Sequence, residues 1–123
     1  MRIIITGAYG FLGWHTSVRL RALTGHDVVR VGRSEWDRLP ESVGYADAIL
    51  HLAGINRAPD EKVHQGNIKL AEDLADAIRQ TKRRPTVVYA NSVHSESDSH
   101  YGIGKRTAAQ ILADATAAAG GAF

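Results

Sequence analysis

The segment Gly7-Ala8-Tyr9-Gly10-Phe11-Leu12-Gly13 restricts this chain more than any other stretch of it. It follows Arg2 to Thr6, a short β-branched run that reads as a buried strand. It opens Phe11 to Leu23, where Leu12, Val18, Leu20 and Leu23 recur among polar residues as in a helix, which Thr24-Gly25 would stop. Glycines at G-x-x-G-x-x-G between a strand and a helix serve three needs: a tight turn, close approach of a pyrophosphate to the backbone, and packing of the helix on the strand. The helix start then offers free N–H groups and a positive dipole end to phosphate. A ligand-free glycine turn would carry the same letters. The position directly after the first strand favours the phosphate-binding reading.

The rest of the chain alternates in the same way. Asp27 to Val31 and Ala46 to Leu52 read as the second and third strands, and Pro85 to Ala90 as the fourth. Asp60 to Gln80 places Leu70, Leu74, Ala77 and Ile78 at helical spacing, with acids early and bases late. Tyr101 to Ala119 is an alanine-rich helix with Ile111 and Leu112. Glu35 to Tyr45 is too short for a full helix plus a strand. Strands alternating with helices predict an α/β fold: a parallel sheet with right-handed crossovers and flanking helices. At 123 residues one core is expected, and 44% hydrophobic with 23% charged residues excludes a disordered chain.

Composition narrows the partners. A net charge of +2 is too small and too scattered to point to nucleic acid. The run Lys82-Arg83-Arg84 before Pro85 reads as a solvated helix end. No cysteine is present, which removes disulfides, a thiol nucleophile and thiolate metal sites, and fits a reducing compartment. The six histidines, His15, His26, His51, His64, His94 and His100, show no metal-ligand spacing, so no metal is expected. No signal peptide and no membrane-length apolar run is apparent, so a cytoplasmic chain without a membrane partner is the expectation.

The strand ends carry the chemistry. After the second strand comes Val31-Gly32-Arg33-Ser34, with no acid at the tip and Glu35 slightly later. An acid there would hold a ribose 2′-hydroxyl, whereas Arg33 and Ser34 suit a 2′-phosphate, which favours NADP(H) and leaves NAD(H) open. His51-Leu52-Ala53-Gly54 ends the third strand, and small residues there let a cofactor lie against the backbone. His51 itself reads as a packed core histidine. Gly66-Asn67 inside a helix is locally unfavourable and marks a packing or functional demand. Ser92 follows the fourth strand, and Tyr101 and Lys105 share a helix face at a spacing of four. A free tyrosine titrates near pH 10, and an adjacent ammonium favours its phenolate, which makes it a usable acid or base. A surface helix beginning with tyrosine would look the same in isolation. The order glycine loop, strand-end serine, Tyr101, Lys105 is what distinguishes it.

That order resembles the extended short-chain dehydrogenase/reductase superfamily, the NAD-dependent epimerase/dehydratase group. Gly7 to Gly13 is similar to its G-x-x-G-[FI]-[IL]-G loop, His51-Leu52-Ala53-Gly54 to its H-L-A-[GA], and Tyr101-Gly102-Ile103-Gly104-Lys105 to its Y-G-x-[SG]-K. The resemblance implies a Rossmann-like sheet of about four strands in the order 2-1-3-4. It implies cofactor contacts from Gly7, Tyr9, Gly10, Phe11, Leu12, Gly13, Arg33, Ser34, Leu52, Ala53, Gly54, Tyr101 and Lys105. Tyr101 would be the general acid/base, Lys105 would bind the nicotinamide ribose and tune Tyr101, and Asn67 would be the helix asparagine of the site. Ser92 would orient the substrate, with Ser95 the alternative because Asn91 stands where a small hydroxyl residue is common. The segment between the second and third strands is shorter than in the family, and its adenine-contacting acid has no evident counterpart.

A narrower resemblance rests on His51 to Arg57, Gly66-Asn67, Asn91-Ser92-Val93-His94 and the short run to Tyr101. These are similar to capsular-polysaccharide UDP-sugar 4-keto reductases, which reduce a 4-keto sugar with NADPH. The superfamily resemblance implies that residues 1–123 are one incomplete NAD(P)-binding domain without the C-terminal substrate-binding region, with Gly120 to Phe123 leading into a further strand. A UDP-linked sugar is the implied substrate. A homodimer through the Asp60–Gln80 and Tyr101–Ala119 helices is the implied assembly, with the fourth strand an exposed edge. Two other functions fit the same motifs: an epimerase or dehydratase that retains NAD, and an NADP(H)-binding module without turnover.

Overall fold

A computed structural model describes residues 1–123. Strands β1 (Arg2–Thr6), β2 (Asp27–Val31), β3 (Ala48–His51) and β4 (Thr86–Tyr89) form one parallel sheet in the order β2-β1-β3-β4. The expected order is therefore observed, with β3 and β4 shorter at both ends than their apolar runs. Helix α1 (Phe11–Leu23) crosses from β1 to β2. Helices α2 (Leu39–Val43), α3 (Asp60–Gln80) and α4 (His100–Ala118) complete the chain, with 3-10 turns at Trp36–Arg38 and Val93–Glu96.

The short segment between β2 and β3 resolves into the first of those turns and the single helical turn of α2. Leu39 and Val43 are fully buried there, and the Trp36 indole N–H donates to Asp73 on α3 at 3.0 Å. Two buried side chains and one hydrogen bond replace the longer helix that the segment cannot accommodate.

One face of the sheet carries the main core. Ile4, Val31, Ile49 and Val87 pack against Leu39, Val43, Leu74, Ile78, Ala108 and Leu112 within a cluster of fifteen buried residues. The other face, under α1, buries four: Ile3, Ile5, Ala8 and Val28.

Helix α1 departs from its expected pattern. Its buried residues are Gly13 and Ser17, whereas Leu12, Val18 and Leu23 are exposed and Leu20 is half-buried. A Cβ on Gly13 would collide with the Gly7 carbonyl and the Ala8 Cα. The helix thus docks through its smallest residues, and its larger apolar side chains turn outward. Its end also differs from the expected glycine stop. Thr24 is extended, and both its N–H and its hydroxyl donate to the Leu20 carbonyl, at 3.1 and 2.5 Å, while Gly25 has no left-handed φ.

The far edge of β4 is partly occupied. Ala122 forms a parallel bridge to Thr86, accepts from the Val87 N–H at 2.7 Å and donates to the Pro85 carbonyl at 3.3 Å. The open edge predicted for the fourth strand is shortened accordingly.

Candidate active site

The carboxyl ends of the strands gather the predicted residues on one edge of the sheet, where ligands bind in open α/β folds. Gly7 turns the chain out of β1 with φ +65°, and a Cβ on it would lie 2.6 Å from the Ala53 nitrogen. Only glycine allows the loop after β1 to rest on the Leu52-Ala53 backbone in this way. Gly10 begins α1, and no side chain caps it. The first-turn amides of α1 are therefore available to an anion, as a pyrophosphate requires. Phe11 is 85% exposed at this helix start, and Leu12 and Tyr9 are exposed beside it.

The tip of β2 revises one expectation. Arg33 and Ser34 are exposed there, as a 2′-phosphate site requires. An acid is at the tip as well. The Glu35 carboxylate folds back to accept the Gly32 N–H at 2.8 Å and the Ser34 hydroxyl at 2.6 Å. Those two bonds, the serine first, lower its pKa below the usual carboxylate range. The physical reason is local: a carboxylate three residues after an unpaired strand-end amide can return to cap it. Tyr9 completes this corner, its ring lying on Gly32 with the Arg30 guanidinium 5.0 Å from the ring centroid.

Asn67 is 2% exposed, and its amide is fully engaged by backbone. It donates to the Ile55 and Val63 carbonyls, both at 2.8 Å, and accepts from the Ile55 N–H at 3.1 Å. Asn67 thus fastens the loop after β3 to α3. Its neighbour Gly66 makes room for the Ile55 side chain. The unfavourable Gly-Asn pair inside a helix answers this packing demand.

The segment between β4 and α4 is a compact serine-rich turn. Ser92 is half-buried, and its Oγ accepts from the His94 N–H at 3.2 Å, which leaves the hydroxyl hydrogen free to donate. Ser95, the alternative, is half-buried within the turn, where its carbonyl accepts from Arg106 at 2.8 Å. Ser99 caps α4 by accepting from the Gly102 N–H at 3.0 Å. This cap sets Tyr101 in the first turn of α4, half-buried, with Lys105 one turn further on the same side.

Lys105 is 5% exposed, and burial pushes its pKa down to about 8. Its ammonium donates to the Ala90 carbonyl and lies 4.1 Å from the centroid of the Tyr89 ring. Nothing in the sequence singles out Tyr89, which ends a strand like any half-buried aromatic. Burial first, and the Tyr101 phenol second, raise its own pKa above the ordinary tyrosine value. The structure therefore brings Tyr89, Tyr101 and Lys105 together, and the ammonium rests on Tyr89 and on backbone. No helix of the chain is long and apolar enough to cross a membrane.

A glycine turn with an uncapped helix start is thus followed, at the same edge of a Rossmann-like parallel sheet, by Ser92, Tyr101 and Lys105. The chain belongs to the NAD dependent epimerase/dehydratase family, whose model matches residues 3–123. Among individual proteins, it is 37% identical over 114 residues to a UDP-2-acetamido-2,6-beta-L-arabino-hexul-4-ose reductase of Pseudomonas aeruginosa. That match takes in 91% of this chain and 31% of the relative. The fold is similar to the capsular polysaccharide assembling protein CapF from Staphylococcus aureus, with a TM-score of 0.81 and 26% identity over 99% of this chain and 32% of that one. It is also similar to a UDP-N-acetylglucosamine 4-epimerase from Bacillus cereus, with a TM-score of 0.78 and 20% identity over 98% and 50% of the two chains. The chain thus spans about a third of the length of its reductase relative and of CapF.

Proposed function

We propose that residues 1–123 are the cofactor-binding and proton-transfer part of an NADP(H)-dependent oxidoreductase that reduces a 4-keto UDP-sugar for polysaccharide precursor synthesis. The observation that carries this reading is the junction of the uncapped α1 start with Ser92, Tyr101 and Lys105 at one sheet edge. The reductase relative's name supplies the substrate class. Recognition of the sugar is assigned to the part of the relatives' length that this chain does not match.

The Gly7 turn and the α1 amides would hold the pyrophosphate, and Leu52, Ala53 and Gly54 would line the path toward the nicotinamide. The dinucleotide, when bound, supplies the hydride for the carbonyl carbon. Tyr101 gives its phenolic proton to the carbonyl oxygen as the alcohol forms, and the proton is later restored from solvent. The free hydroxyl hydrogen of Ser92 orients that oxygen, and the Lys105 ammonium favours the phenolate left behind.

NADP(H) is preferred because the Arg33 guanidinium, which has no acidic partner, is at the β2 tip beside Ser34. The Glu35 carboxylate favours a second reading, in which it holds the ribose 2′-hydroxyl of NAD(H). Calorimetric titration separates them. NADPH should bind more tightly than NADH, and Arg33→Ala should weaken NADPH about tenfold while sparing NADH. Tighter NADH binding that falls in Glu35→Gln establishes the second reading. Tyr101→Phe should leave dinucleotide binding intact, and no binding of either dinucleotide sinks the proposal. The proposed homodimer through α3 and α4 is checked in parallel by sedimentation at high protein concentration.

A further inference from the structure

The carboxyl-terminal rung of the sheet carries a column of side chains that the proposed reaction does not use. Thr6, His51 and Tyr89 stand directly opposite one another on β1, β3 and β4. All three lie on the α3/α4 side, in line with the core residues Ile4, Ile49 and Val87 two positions earlier. The Thr6 hydroxyl meets His51 Nδ1 at 2.7 Å and accepts from the Ala53 N–H at 3.3 Å. The threonine oxygen has two lone pairs and one hydrogen, so it satisfies Nδ1 in either tautomer of the ring. Burial, and secondarily the Lys105 charge, push the His51 pKa down to about 3. The His51 ring stacks on Tyr89 with centroids 5.6 Å apart and planes 23° apart. Lys105 comes down from α4 onto the same Tyr89 ring.

We propose that Tyr89, backed by His51 and Thr6, is a positioning platform whose ring face holds the Lys105 ammonium at the sheet edge. A neutral imidazole under the ring leaves one positive charge above it. The ring's negative face and the Ala90 carbonyl stabilise that charge where water is scarce. The titratable groups facing the ammonium are His51 from β3 and Tyr89 from β4, and Tyr101 is one turn earlier on α4 itself. His64 on α3 has its backbone 3.2 Å from a Cβ built at Gly104, the residue before Lys105. Lys105 makes no ion pair. The ring face therefore takes the place of a carboxylate counter-ion and leaves the ammonium a net cation for the phenolate and the ribose. The meaning of the platform for catalysis rests on the proposed oxidoreductase function, but its existence does not.

The test follows Lys105 by NMR in the full 123-residue chain with labelled lysine and no dinucleotide, the resonance being assigned by its loss in Lys105→Arg. In the wild type and in Tyr89→Phe, the Lys105 ε-methylene protons should lie upfield of those of Lys62, Lys69 and Lys82, because they sit over a ring. Phenylalanines of increasing fluorination at position 89 keep the shape while weakening the ring's negative face. The Lys105 titration midpoint should fall stepwise along that series, by about one pH unit in total. A structural filler would give a flat series, and either a flat series or an absent upfield shift overturns the proposal. If a fluorinated variant does not fold, the upfield shift in the wild type and Tyr89→Phe decides. NADPH titration of the same samples separates the two readings: a stepwise series in protein that binds no dinucleotide retains the platform and removes the cofactor assignment.

Discussion

The two faces of the sheet use the same strands to different depths. Alternate residues of β1, β3 and β4 point to opposite sides, and the α3/α4 side buries fifteen residues in one cluster while the α1 side buries four. Val87 is buried, whereas its neighbour Val88 is 51% exposed, although both are valines in one strand. Trp14 and Val18 on α1 are exposed on that thinner side as well. The difference shows that hydrophobic alternation marks where side chains point, while burial depends on what another element places over them. It also separates the buried titratable groups. His51 and Lys105 are buried polar groups, and both belong to the deeper side, where burial is strong enough to move their pKa values.

Three changes sharpen this comparison. Leu74→Ala, on the deep side at a fully buried position, should destabilise the chain by about 2–5 kcal/mol in chemical denaturation. A loss below about 1 kcal/mol there would mean that the fifteen-residue cluster is not cooperatively packed. Next is the pH dependence of stability. His51 has its folded pKa depressed below the unfolded value, so between about pH 3 and pH 6.5 the unfolded chain binds the extra proton. Stability therefore falls as the pH falls through that window. His51→Gln should flatten the slope, removing up to about 3 kcal/mol of the loss between about pH 6.5 and pH 4. The depressed carboxylates Glu35, Glu41, Asp47 and Asp73 contribute to acid loss in both proteins and cancel in the difference. Equal slopes in the two would show that the imidazole is open to protons. The smallest effect belongs to the thin side: Val88→Thr should change stability by less than about 0.5 kcal/mol. A large loss there would reveal that Val88 is covered in solution.

Much of the site is legible in the order of residues alone. Gly7, Gly10 and Gly13 require a strand on one side and a helix on the other, and the i,i+4 spacing of Tyr101 and Lys105 requires one helix face. Those are local geometric demands. The role of the Glu35 carboxylate at the β2 tip is not, because its placement depends on a return to the Gly32 amide rather than on sequence position alone. A carboxylate three residues past a strand-ending glycine is the available signal. Asn67 is legible as a demand inside α3, but its engagement of the Ile55 backbone depends on where the loop after β3 runs. Tyr89 gives no signal in the sequence. Its role comes from register across β3 and from Lys105, a residue of the next helix.

The sequence by itself determined the alternation of strands and helices, the glycine turn before α1 and the order of the polar groups along the chain. Each rests on interactions within a few residues. Only the tertiary structure decided which apolar residues are covered, that α1 docks through Gly13 and Ser17, and that Lys105 settles on Tyr89. These outcomes depend on close approach between distant segments, where a missing Cβ or an in-register ring fixes the geometry.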